Sequence, residues 1–147
     1  MHPYTLEKEE KELAEIKDTE EKKHKSQARI GQGKYRNELL NLCPFCPITM
    51  VSDDRLLIAS HIKPWSQSNE MEKIDPYNGL MLTPTFDYLF DKGFLSFTNN
   101  KETILSPFLS KITYSKVGIS DNKNFSSLII EGREEYLKYH RENILKK

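Results

Sequence analysis

At 147 residues the chain is long enough for one compact domain with a real core and too short for two large ones. Hydrophobic residues make up 37% and charged residues 30%, a soluble globular composition with at least one heavily solvated segment; no stretch nears the ~18 apolar residues of a membrane span, and the N-terminus lacks the apolar core of a secretory signal, so a cytoplasmic protein is expected. Lys plus Arg and Asp plus Glu each number 22, which excludes a globally basic surface: a nucleic-acid partner would have to be held by local features, or through a metal ion that offsets phosphate charge.

The first segment, "TLEKEEKELAEIKDTEEKKHKSQ" from Thr5 to Gln27, is rich in strong helix formers and in i,i+4 pairs such as Glu7/Lys11, Asp18/Lys22 and Glu21/Lys25. Leu6, Leu13 and Ile16 make too thin a stripe to bury firmly or to sustain a coiled coil. Residues 1–28 therefore read as a charged, solvated helix or linker, and residues 29–147 as the folded domain. In "GQGKYRNELLNL", Gly31 and Gly33 break structure, and Tyr35, Leu39, Leu40 and Leu42 then recur at helical spacing, which predicts a short amphipathic helix.

Cys43 and Cys46 form a single C-x-x-C, which in a cytosolic chain suggests metal or redox chemistry before a disulfide. A four-ligand zinc site needs a second pair. The histidines, His2, His24, His61 and His140, offer none, so structural zinc is not expected and Cys46 reads as a small buried residue near the start of a strand. The β-prone run Ile48 to Val51 and the later "RLLIASH" then read as a hairpin whose second strand ends near His61. Residues 63–77 are a polar loop closed by Asp75-Pro76-Tyr77, with Trp65 expected in the core beside Pro64.

Thr83 suits an N-cap, Pro84 the first helical position and Gly93 the residue past the end, which predicts a helix from Pro84 to Asp91. Beyond it "FLSF", the turn "TNNKE" and "TILS" read as a β-hairpin. "EGREEYLKYHRENIL" reads as an amphipathic helix using Tyr136, Leu137, Ile144 and Leu145. His24 and His140 fall in charge-rich helical segments and are expected to be solvated.

Two features carry candidate chemistry. His61 ends an apolar run where a turn begins, a position that suits packing and catalysis equally. Asp87 and Asp91 are four apart on the predicted helix and share a face, where two like charges destabilise an isolated helix. Such a pair can share a hard divalent ion such as Mg²⁺; it can also be two solvated acids, with Asp91 countered by Lys92.

Taken in order, "ASHIKPW", "DPYNGLML" and "FDYLFDKG" resemble the HNH endonuclease family, in particular its restriction-endonuclease-type branch, over roughly residues 31 to 106. The resemblance implies an α+β fold: a ββα-metal core, with motifs over about 43–95, carrying an added β-hairpin and flanking N- and C-terminal helices. It makes His61 the general base that activates water, Asn78 the brace that orients it, Asp87 a metal ligand and Asp91 a further one. Lys63 and Lys92 flank this site as candidate phosphate contacts. Several members carry Asp or His just before the base, whereas here that residue is Ser60, a poor ligand. Many also carry two C-x-x-C pairs; with one, the core must be fastened by packing, for which Trp65, Phe86 and Phe90 are candidates.

The implied activity is Mg²⁺- or Mn²⁺-dependent hydrolysis of DNA, double-stranded, in a restriction or defence system, leaving a 5′-phosphate and a 3′-hydroxyl. A homodimer or a larger specificity protein would be the partner. Two other classes compete: a catalytically inactive nucleic-acid-binding module of the same fold, and a small redox or metal-binding protein built on Cys43 and Cys46.

Overall fold

The computed structural model describes residues 31–147, so the charged segment 1–28 and His24 lie outside the described residues. One compact unit runs from Tyr35 to Lys147. It is an α+β structure of short helices and two small antiparallel sheets.

Residues 31–42 form helix α1. Gly31 and Gly33 do not break it, contrary to the sequence reading, because an exposed glycine costs a helix only about 1 kcal/mol. Tyr35 and Leu39, one turn apart, are both buried. The predicted strand over Ile48 to Val51 does not form. The Met50 N–H donates to the Cys46 carbonyl (2.8 Å) and the Cys46 N–H to the Val51 carbonyl (2.9 Å), with Met50 at a left-handed φ of 64°. Those bonds close a turn, which takes the run out of the extended conformation a ladder needs. A 3₁₀ turn at Asp54–Leu56, capped by the Asp53 side chain, follows.

Strand β1 (Ile58–His61) pairs instead with β2 (Gly79–Leu82), antiparallel, with Ile58 opposite Leu82, Ser60 opposite Leu80 and His61 opposite Gly79. The connection between them is more ordered than its polar sequence suggests. It holds a 3₁₀ turn at Trp65–Gln67 and helix α2 (Glu70–Ile74). Asn69 and Glu72 close a capping box at the start of α2, each side chain taking the other's backbone N–H at 2.9 Å. Trp65 is 47% exposed and lies under the Lys73 ammonium, 4.1 Å from its ring centroid. Its predicted core role is corrected: a lysine, not the core, covers the indole.

Helix α3 (Pro84–Asp91) starts and stops where the sequence places it. Phe86, Leu89 and Phe90 are its buried face. Gly93, at φ 77°, ends it in the left-handed conformation glycine tolerates. Strands β3 (Leu95–Phe97) and β4 (Thr103–Leu105) pair antiparallel. Helix α4 (Lys111–Val117), started by the Ser110 side chain and ended by Gly118, was not anticipated from sequence. Helix α5 (Glu134–Asn143) buries Leu137 and His140, while Tyr136, Ile144 and Leu145 are half-buried.

His140 is not solvated as its charge-rich neighbours predict. It is 1% exposed, its ring stacks on Phe90 with centroids 3.9 Å apart, and its nitrogens lie 2.8 Å from Ser96 Oγ and from the Phe90 carbonyl. Among the described residues no helix is long and apolar enough to cross a membrane.

Candidate active site

Paired residues of an antiparallel ladder project to the same side, and neighbours along a strand to opposite sides. His61 and Gly79 therefore share one face of the β1–β2 pair, and Ser60 and Leu80 the other. Helix α1 covers the His61 face: a Cβ added to Gly79 would overlap the Tyr35 hydroxyl and approach Leu39 Cδ2 to 2.8 Å. Helix α3 covers the Ser60 face, where Ser60 Oγ donates to Asp87 Oδ1 at 2.5 Å. The last two residues of one short strand thus look to different helices.

The His61 ring stacks on Tyr35, centroids 4.2 Å apart and planes within 10°. Its Nε2 lies 2.9 Å from the Lys73 carbonyl oxygen. A carbonyl can only accept, so Nε2 carries the hydrogen and a neutral ring keeps its lone pair on Nδ1. Burial pushes the His61 pKa below its ordinary value, with the Lys73 carbonyl pulling weakly the other way. Desolvation penalises the charged form, so near pH 7 the ring is neutral and able to take a proton.

Asn78 is fully buried and binds the β1–β2 connection across its width. Its Oδ1 accepts from the Lys63 N–H at 2.8 Å, and its Nδ2 donates to the Glu72 carbonyl at 3.0 Å, with the Lys63 carbonyl and Ser68 Oγ each at 3.3 Å. Its own carbonyl accepts from the Tyr35 hydroxyl at 2.8 Å and from the Ile62 N–H at 3.3 Å. Lys73, which supplies the acceptor for His61, directly follows Glu72. Through that loop Asn78 reaches the histidine.

The remaining expected residues divide. Lys63 is engaged, with its ammonium 3.0 Å from both Glu72 carboxylate oxygens and 4.9 Å from the centroid of the Tyr139 ring. Lys92 and Asp91 are exposed at the end of α3, with Lys92 Nζ 3.7 Å from Asp91 Oδ2. Among the described residues no group of three or more His, Cys, Asp or Glu side chains is placed to hold a metal ion. Asp87 with the Ser60 hydroxyl, and Asp91 a turn away, are hard oxygen donors. They fit an ion such as Mg²⁺, which binds through one or two carboxylates and keeps several waters. Cys43 and Cys46 are free thiols, both buried.

Two residues around the site were not read from sequence. Tyr35 counted only as an apolar position of α1. Arg133, 1% exposed, donates Nε–H to the Gly79 carbonyl at 3.0 Å and lies over the Tyr77 ring, while its Nη2 has no hydrogen-bond partner among the described residues. One arginine in a charge-rich run carries no local signal of burial.

Residues 46–98 match the family model described as HNH endonuclease. No curated protein matches the chain. The matched stretch holds β1, α2, β2, α3 and β3, with His61, Asn78, Asp87 and Asp91 all inside it. Helices α1, α4 and α5 fall outside. The resemblance carried by the three motifs is thus found again independently, over a shorter span than 31–106, and it points to a nuclease.

Proposed function

We propose that the chain is a divalent-metal-dependent DNA endonuclease in which His61 is the general base, Asn78 its brace, and Asp87, with Asp91, the metal-holding pair of a ββα-metal core. One observation carries this reading: within the family match, a histidine is held by Nε2 against the Lys73 carbonyl, which leaves Nδ1 as the acceptor of its neutral form, one residue from a serine bonded to the Asp87 carboxylate of α3. A base needs that protonation state at working pH, and burial supplies it.

In-line displacement at phosphorus puts the attacking water and the leaving 3′ oxygen on opposite sides of the phosphate. His61 and Asp87 lie on opposite faces of β1, so a phosphate at the strand's end would meet the base on one side and the carboxylates on the other. A bound Mg²⁺ or Mn²⁺, held by Asp87 and Asp91 with Ser60 alongside, would supply charge neutralisation at the phosphate and the leaving oxygen. His61 takes the proton from water at Nδ1 while Nε2 stays bonded to the Lys73 carbonyl, which gains strength as the ring becomes cationic. Zero net charge accords with a site that meets phosphate through an ion rather than a basic surface.

The substrate is DNA, double-stranded, in a restriction or defence setting, as in the branch the motifs resemble. One site per chain cuts both strands only through a second copy or two successive nicks.

Supercoiled plasmid incubated with Mg²⁺, Mn²⁺ or EDTA, beside His61→Ala, tests the reading. Cleavage that needs the metal and is lost in the variant is expected. Plasmid bound but never cut by the wild type would leave a binding module; cutting that survives both chelation and the variant would end the mechanism.

A further inference from the structure

The match to the nuclease family begins at Cys46, yet the His61 ring rests on a residue eleven positions before it. We propose that Tyr35 is a positioning residue of this site: its ring fixes the plane of the His61 imidazole, and its hydroxyl holds the Asn78 carbonyl. One side chain from α1 thereby sets both the base and its brace. The base role rests on the nuclease reading above; the orienting role stands on geometry alone.

A histidine ring has two torsions to fix. The bond from Nε2 to the Lys73 carbonyl holds one edge and leaves the ring free to swing about that line. A parallel aromatic ring with its centroid 4.2 Å away removes the swing, because rotation of the imidazole would drive an edge into the face of the phenol. With both constraints, the direction of the Nδ1 lone pair is determined. The hydroxyl acts at a second point. It donates to the Asn78 carbonyl, which also takes the N–H of Ile62, the residue after the histidine. Glycine at position 79 makes this possible, since any side chain there would occupy the place of the hydroxyl. Burial raises the Tyr35 phenol well above its ordinary pKa, so it remains a donor wherever the enzyme works.

Tyr35 is also 3% exposed, and a residue that only filled the core would lower stability without touching the chemistry. The two roles separate in kinetics and in the histidine's own spectrum. Wild type, Tyr35→Phe, Tyr35→Leu and His61→Ala are assayed on a short duplex with Mg²⁺, and the His61 ring protons are observed by NMR. Tyr35→Leu is expected to lower kcat by about tenfold or more with KM within about twofold, the pattern of a misaligned group. Tyr35→Phe keeps the stack and should recover kcat to within about threefold. The His61 ring protons should lie upfield, under the facing ring, in wild type and Tyr35→Phe, and return to ordinary positions in Tyr35→Leu. Tyr35→Leu cutting at the wild-type rate while His61→Ala is inactive would overturn the proposal and leave the nuclease reading intact. His61→Ala cutting at the wild-type rate would overturn the nuclease reading, and the ring shifts would still decide whether Tyr35 orients the imidazole. If Tyr35→Leu does not fold, unshifted His61 protons in the wild type overturn it.

Discussion

His61 on β1 and His140 on α5 each lie flat against an aromatic ring, Tyr35 and Phe90, and each has Nε2 beside a backbone carbonyl, that of Lys73 and of Phe90. The difference is at Nδ1. In His140 it is taken by the Ser96 hydroxyl, so both nitrogens are spent inside the core. In His61 no bond to it is found among the described residues, and the residue is only half-buried. Stacking and a carbonyl bond are common to both histidines; the bond at the second nitrogen and the depth of burial are what separate them.

The widest expected split between them comes from truncation. His61→Ala should cost cleavage about 10²- to 10⁴-fold, the range for removing a general base, while shifting the melting temperature little. His140→Ala should do the reverse. It leaves the Ser96 hydroxyl without its partner, takes one of two donors from the Phe90 carbonyl, which keeps the Gly93 N–H at 3.2 Å, and opens a cavity against Phe90, a loss of about 2–4 kcal/mol read as a lowered denaturation midpoint. At a temperature where it stays folded, its cleavage rate should match the wild type. An inactive but stable His140→Ala would erase the distinction.

Acid sharpens the same comparison. Burial pushes the His140 pKa down to about 4, with Asp91 and the Phe90 carbonyl opposing and Arg141 assisting. The folded pKa lies below the unfolded value of about 6.5, so between those values the unfolded chain binds the extra proton. Stability is fully present above about pH 6.5, falls as pH drops toward 4, and levels off below it. The loss from this group approaches about 3 kcal/mol. His140→Gln, which cannot take up that proton, should show a flatter dependence of melting temperature on pH across the window. Parallel curves for the two proteins would mean the ring is not desolvated as the structure has it.

How much of this was readable in the sequence follows from distance along the chain. Helix α3 was legible because Pro84 at its first turn and Gly93 past its end act on their own neighbours; Thr83 takes the N-cap position without a capping bond from its side chain. Asn69 and Glu72 offered an equally local signal for α2, which the polar composition of the loop obscured. His140 was misread because its surroundings come from Phe90 and Ser96, far back in the chain, while its sequence neighbours are charged. The run Ile48 to Val51 has β propensity, but a strand needs a partner, and the turn from Cys46 to Val51 used the backbone first. For the candidate site, the order of three motifs singled out the histidine, asparagine and aspartates, whereas Tyr35 on α1 and Arg133 just before α5 approach β2 from far along the chain, where no local pattern announces the contact.

The smallest expected effect concerns the residue that sets the two faces of β1 apart. Ser60→Ala removes one hydrogen bond to a part-buried Asp87, which should cost about 1 kcal/mol of stability. What it does to cleavage separates two roles for the hydroxyl. A serine that only aims the carboxylate can be lost with a modest fall in rate that added Mg²⁺ repairs, because a freed Asp87 still binds the ion. Ser60→Asp places a second carboxylate beside Asp87, a repulsion that destabilises the protein without metal and that a divalent ion relieves. The melting temperature of Ser60→Asp should therefore rise more with Mg²⁺ than that of the wild type. If Mg²⁺ moves both proteins equally, Ser60 and Asp87 are a structural pair and the ion is held elsewhere.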